Sequence, residues 1–117
     1  MPGMVDQETR LSNLEDLRQG AQSQPNDLQS QYRFGWALLG LGKTEEAREI
    51  FEASHARWPD EIEILYGLAM TLKQAGDAEK ARQFFIQVKE KASGGIRDSM
   101  LKRMAEVQTE VILGGVA

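Results

Sequence analysis

The sequence matches itself at one fixed offset. Pro25 falls on Pro59, Tyr32 on Tyr66, Leu38 on Leu72, Gly42 on Gly76, Glu45 on Glu79, Ala47 on Ala81, Arg48 on Arg82 and Phe51 on Phe85. Conservative pairs fill the intervals: Asn26 with Asp60, Leu28 with Ile62, Phe34 with Leu68 and Gly35 with Ala69. A fixed period constrains a chain more tightly than composition does. One unit has too little apolar surface to make a core alone, so units must stack and share a continuous apolar layer.

The matched residues read as two helices joined by a tight turn. Pro25 and Pro59 cannot continue a preceding helix, and Asn26 and Asp60 follow them as N-caps whose side-chain oxygens accept early backbone N–H groups. Glu63, three residues after Asp60, has the spacing of a capping box. Leu28, Gln31, Phe34, Gly35 and Leu38 recur with helical periodicity, as do Ile62, Leu65, Leu68, Ala69 and Leu72. Gly42 and Gly76 close these helices, because glycine reaches the left-handed conformation of a C-terminal cap. A second helix starts near Thr44 or Asp77, with Glu45, Glu46 and Glu79 favouring the positive end of its dipole. Its inner face carries Ala47, Ile50, Phe51 and Ser54 in one copy, and Ala81, Phe84, Phe85 and Val88 in the other.

With small residues at Gly35, Ala47, Ala69 and Ala81, aromatic residues at Phe51 and Phe85 and a proline at Pro59, the sequence resembles the tetratricopeptide repeat. Ser93 stands where the second unit would have its proline, and Gln31 where the family often has tryptophan. The resemblance implies an all-α, right-handed helix-turn-helix solenoid with repeat units at residues 28–61 and 62–95. Residues 4–22, with Leu11, Leu14, Leu17 and Ala21 in a stripe, are expected to form an N-terminal half-repeat helix. After Ser93-Gly94-Gly95, a C-terminal capping helix is expected over 96–113, giving about six helices in all. Its dry face is read as Ile96, Met100, Leu101, Met104, Val107, Val111 and Ile112, its wet face as Arg97, Asp98, Lys102, Arg103, Glu106 and Glu110. The 117 residues form one domain on this reading.

The resemblance also implies a concave binding surface built by the first helix of each unit. Carried over residue by residue, its protein-binding positions are Gln29, Tyr32, Trp36 and Leu39, then Glu63, Tyr66, Met70 and Lys73. Periodicity supports part of this set, because Tyr32, Trp36 and Leu39 form a second stripe well separated from Leu28, Phe34 and Leu38. Tyr, Trp and Met are favoured in protein interfaces, so a peptide anchored by apolar side chains is the expected occupant. One subclass of the family grips a terminal carboxylate with Lys and Asn. Tyr32, Trp36 and Gly67 occupy those places here, which disfavours that mode.

Catalytic chemistry finds no support. The chain has no cysteine, which removes disulfides, thiolate metal sites and a thiol nucleophile together. His55 is the single histidine, and one Glu52-x-x-His55 pair cannot complete a metal site, so a solvated surface histidine is expected and no metal or cofactor. Ser54 lies beside His55 with no carboxylate placed to orient the imidazole. Gly94-Gly95 and Gly114-Gly115 lack the Lys-Ser/Thr and the strand of a phosphate loop. Met100 and Met104 are read as core of the capping helix, and the cluster of Lys89, Lys91, Arg97, Lys102 and Arg103 as a solvated face. A net charge of −4 disfavours nucleic acid as a partner. No stretch approaches the ~20 apolar residues that span a bilayer. The N-terminus has no signal-peptide pattern, so a cytoplasmic, non-membrane protein is expected.

The expected function is a non-enzymatic protein-interaction module, an adaptor, co-chaperone or assembly factor that holds a peptide or partner protein in its groove. The second reading is a self-associating structural subunit, a homodimer stacked through its terminal helices. Its motivation is the lone first helix and the apolar tail with Val111, Ile112, Leu113 and Val116.

Overall fold

The computed structural model describes the chain from residue 2 to residue 114, with side chains from residue 13 to residue 113. Leu11 and Val116 therefore lie outside the described side chains. In chain order the helices are α1 (Pro2–Ser23), α2 (Leu28–Gly40), α3 (Thr44–Arg57), α4 (Ile62–Gln74), α5 (Ala78–Lys91) and α6 (Ile96–Gly114), with no strand among the described residues. Each helix packs on the next in sequence, and α2 also touches α4 and α4 touches α6. First helices of successive units thus line up beside one another, as a stack of helix pairs requires.

The turns repeat in geometry as well as in sequence. Gly42 and Gly76 adopt φ of 78° and 92°. After α2, the Gly42 N–H donates to the Leu39 carbonyl and the Lys43 N–H to that of Leu38. Gly76 and Asp77 do the same to Lys73 and Leu72 after α4. These paired bonds satisfy the last carbonyls of each helix, and only a left-handed residue at the glycine position permits them.

The N-caps differ from the sequence reading by one residue. Asp27, not Asn26, caps α2 by accepting from the Ser30 N–H, and Glu61, with no side-chain cap bond, precedes α4. Asn26 and Asp60 instead receive cations from the far end of the helix pair that follows each: Arg57 donates to Asn26 Oδ1 and to the Pro25 carbonyl, and Lys91 Nζ donates to Asp60 at 2.5 Å. Arg57 and Lys91 are themselves one repeat apart, so the period includes a clasp that ties the end of each second helix to the entry of its first. The capping box is absent as well, because the Glu63 carboxylate pairs with Arg97 of α6.

The core centres on two aromatic wedges. Phe51 and Phe85 are fully buried. The Phe51 ring fits between α2 and α4 against the backbones of Gly35 and Gly67. A Cβ added to Gly35 would lie 2.6 Å from the ring, and one added to Gly67 would lie closer still. Ala47, Ala69 and Ala81 are fully buried where helices meet.

The register continues into α6 as the first helix of a third unit. Ile64, Gly67 and Thr71 face the preceding unit in α4, and one repeat further on the face becomes Asp98, Leu101 and Ala105, extended by Thr109. Leu101, Ala105 and Thr109 are buried accordingly. Each helix also buries a hydroxyl, one turn apart in register: Thr71 donates to the Gly67 carbonyl and Thr109 to that of Ala105, each at 2.8 Å. The face that α4 gives to α5, Leu65, Leu68, Ala69 and Leu72, is replaced in α6 by Ser99, Lys102, Arg103 and Glu106, which suits exposure to water.

This register corrects the expected dry face. Of the seven residues read as inward, Leu101 is buried and Ile112 half-buried. Ile96, Met100, Met104, Val107 and Val111 are exposed, and so is Leu113. The physical reason is spacing between helices: Ala105 and Thr109 let α6 approach α5 closely, and the bulkier stripe is turned away.

Candidate functional site

The first helices α2 and α4 bring the eight expected binding residues to one side of the stack, at two depths. Gln29 is exposed, and Tyr32, Trp36, Met70 and Lys73 are half-buried. Leu39, Glu63 and Tyr66, expected as contact residues, form a buried floor at 6%, 6% and 4% exposure. Burial of a tyrosine and a glutamate here follows from their neighbours, which come from other helices.

Tyr66 is enclosed by rings. It stacks on Trp36 with centroids 6.0 Å apart and planes at 29°, and meets Phe85 edge-on at 5.5 Å. Trp36 in turn packs edge-to-face on Tyr32 at 6.2 Å and on Phe51 at 6.1 Å. Such offset and T-shaped pairs are the favoured arrangements of aromatic quadrupoles. The accessible rim, Tyr32 and Trp36, is therefore seated directly on the core wedge Phe51. The Trp36 indole N–H is buried near the Tyr32 hydroxyl but makes no hydrogen bond of acceptable geometry. A buried donor without an acceptor is costly, and this one lies where the rim meets the buried floor.

The electrostatics are local. Glu63 is 8% exposed in its side chain and is paired with Arg97, whose guanidinium is 64% exposed. Burial, and then the Glu63 carboxylate, push the Tyr32 phenol above its ordinary value, while the Trp36 N–H and Arg97 draw it partly back. Burial also raises Tyr66. At the other end, Lys73 Nζ donates to Gln108 Oε1 of α6 at 2.5 Å. Both Glu63 and Lys73 are thus engaged by α6.

Arg97 was not among the expected site residues, and neither were Met100, Met104 and Val107. A further application of the repeat offset finds all four, with Arg97 following Gln29 and Glu63. Met100 follows Tyr32 and Tyr66, Met104 follows Trp36 and Met70, and Val107 follows Leu39 and Lys73.

Elsewhere, His55 is half-buried rather than solvated. Its ring meets Phe84 edge-on at 5.4 Å, and Nδ1 is buried without a partner. Among the described residues, no three His, Asp or Glu side chains gather into a metal-binding group, and no helix is long and apolar enough to cross a membrane.

Residues 38–103, more than half of the chain, match the family model described as tetratricopeptide repeat. Neither the curated proteins nor the solved structures gave a match.

Proposed function

Because this chain belongs to the tetratricopeptide repeat family, whose members generally bind other proteins or peptides, we propose that it is a non-enzymatic adaptor or assembly module. Its partner would be a peptide segment with apolar anchors, seated on the half-buried rim of Tyr32, Trp36 and Met70. Cytoplasmic residence belongs to the same proposal, as do the absence of nucleic acid and membrane from its partners.

The observation that carries the reading is the two-level arrangement of aromatic residues. Tyr66 and Phe51 fix Trp36 from below, so a partner would meet a ring whose rotamer is already set, at little ordering cost. Gly67 adds a reason against a carboxylate clamp. A side chain there collides with the buried Phe51 ring, so the position is closed to the asparagine that such a clamp uses.

The test begins by selecting binders from a displayed peptide library against the whole chain. Binding of a selected peptide is then compared with Trp36→Ala and Met70→Ala, with helicity and unfolding midpoint followed for each. Loss of a desolvated interface aromatic commonly costs ~2 kcal/mol or more, so Trp36→Ala should weaken binding at least about tenfold. Met70→Ala, on a side chain half-buried like Trp36, should also weaken binding, and its unfolding midpoint separates lost contact from lost stability. Full binding by both folded variants would place the site elsewhere.

A further inference from the structure

We propose that α6 is a self-association surface on which a second copy of this chain docks, α6 antiparallel to α6 across a twofold axis between Met104 and Val107. The proposal goes beyond the peptide groove of α2 and α4 and does not depend on it.

The first observation is an interface left open. Ile62 and Tyr66 of α4 are 5% and 4% exposed in the stack. Ile96 and Met100 stand at the same places in α6 and are 82% and 60% exposed. With Met104, Val107 and Val111 they form one apolar stripe. At 100° per residue this stripe lies on the side of α6 away from Leu101 and Ala105, so the fold of the chain does not obstruct it. Contiguous exposed apolar surface of this kind marks an interaction face.

The second observation selects the occupant. Met100, Met104, Val107 and Val111 are spaced four, three and four residues apart, the alternation of a two-helix seam. Arg103 and Glu110 precede Met104 and Val111 and flank the seam on one side. When two copies run antiparallel, Met104 layers with Val107 of the partner copy and Met100 with its Val111. Arg103 then faces Glu110 of the partner copy, and symmetry makes the pair twice. Arg103 is available for this: its side chain is 80% exposed, and its contact with Glu106 is long at 3.8 Å. A parallel arrangement would set Arg103 against Gln108 and gain no ion pair. Head-to-tail stacking finds little to grip, because the described part of α1 exposes Asn13, Glu15, Asp16, Gln19 and Gln22.

One helix per copy makes a small interface, so the dimer should be weak, on the order of micromolar. Sedimentation equilibrium of the whole chain from low- to high-micromolar concentration reads it directly. The expected result is a reversible monomer–dimer equilibrium. Met104→Glu should abolish it while circular dichroism stays unchanged, since the side chain is exposed. Arg103→Glu and Glu110→Arg each oppose like charges twice per dimer and should each weaken it about tenfold. The double variant restores both pairs and should return to near the original affinity. A monomer at every concentration, a dimer indifferent to Met104→Glu, or a double variant no tighter than the single ones would each overturn the proposal.

Discussion

Helices α4 and α6 occupy equivalent places in successive units, yet they live in opposite environments. Every residue of α4 from Ile62 to Ala69 is buried, because α2 and α3 lie on one side of it and α5 and α6 on the other. In α6 the buried set shrinks to Leu101, Ala105 and Thr109. The pattern has not failed in α6. The places through which α4 meets α5 are polar in α6, and the places of Ile62 and Tyr66 stay apolar as Ile96 and Met100. The difference teaches that in a stacked array the register assigns each residue a neighbour, and burial follows only when that neighbour exists.

The largest effect expected from this contrast comes from one residue type at one register place. Ile62→Ala should destabilise the chain by about 2–4 kcal/mol, by loss of buried methyl groups and the cavity left behind. Ile96→Ala should stay within about 0.5 kcal/mol, as surface substitutions do. Denaturant midpoints at constant slope measure both. Equal losses would mean that Ile96 is covered in the folded chain.

A smaller effect separates the two helices in acid. Where α4 enters the stack on the fully buried Ile64, α6 has Asp98, whose carboxylate accepts from the Ser93 hydroxyl at 2.7 Å and the Ser93 N–H at 2.8 Å. Those bonds hold Asp98 below its ordinary value of 3.8. A folded-state value below the unfolded one contributes stability above the unfolded value, and that contribution is lost as pH falls through the folded one. Amide protection in α6, corrected for intrinsic exchange, should therefore fall between about pH 5 and about pH 3 while that in α4 holds. Asp98→Asn should remove most of the difference. Equal acid sensitivity in both helices would mean that Asp98 does not anchor α6.

The helix order and the turns were legible in the sequence, since Gly42 and Gly76, Phe51 and Phe85, and the small residues between them carry their own local reasons. Three features were not. Asn26 and Asp60 look like caps in isolation and are drawn off by Arg57 and Lys91, cations from the far end of each unit. Tyr66 and Glu63 read as surface residues of an amphipathic helix, and their covers, Phe85 and Arg97, come from α5 and α6. In α6, helical periodicity finds two apolar stripes and cannot rank them. The choice rests on how closely Ala105 and Thr109 let the backbone approach, which is a property of the assembled stack. Of the candidate site, Tyr32 and Trp36 were readable from the stripe and Met70 from the resemblance, whereas Leu39, in the same stripe, lies in the buried floor.

The central claim is that register places residues and neighbours decide their exposure, and methionine oxidation tests it most directly. Met70 and Met104 hold the same place in successive units, one half-buried in α4 and the other 43% exposed in α6, with Met100 at 60% beside it. Limited peroxide treatment of dilute protein, followed by peptide mass spectrometry, compares all three in one sample. The account predicts sulfoxide at Met100 and Met104 well before Met70. Oxidation of Met70 at an equal or faster rate would contradict it.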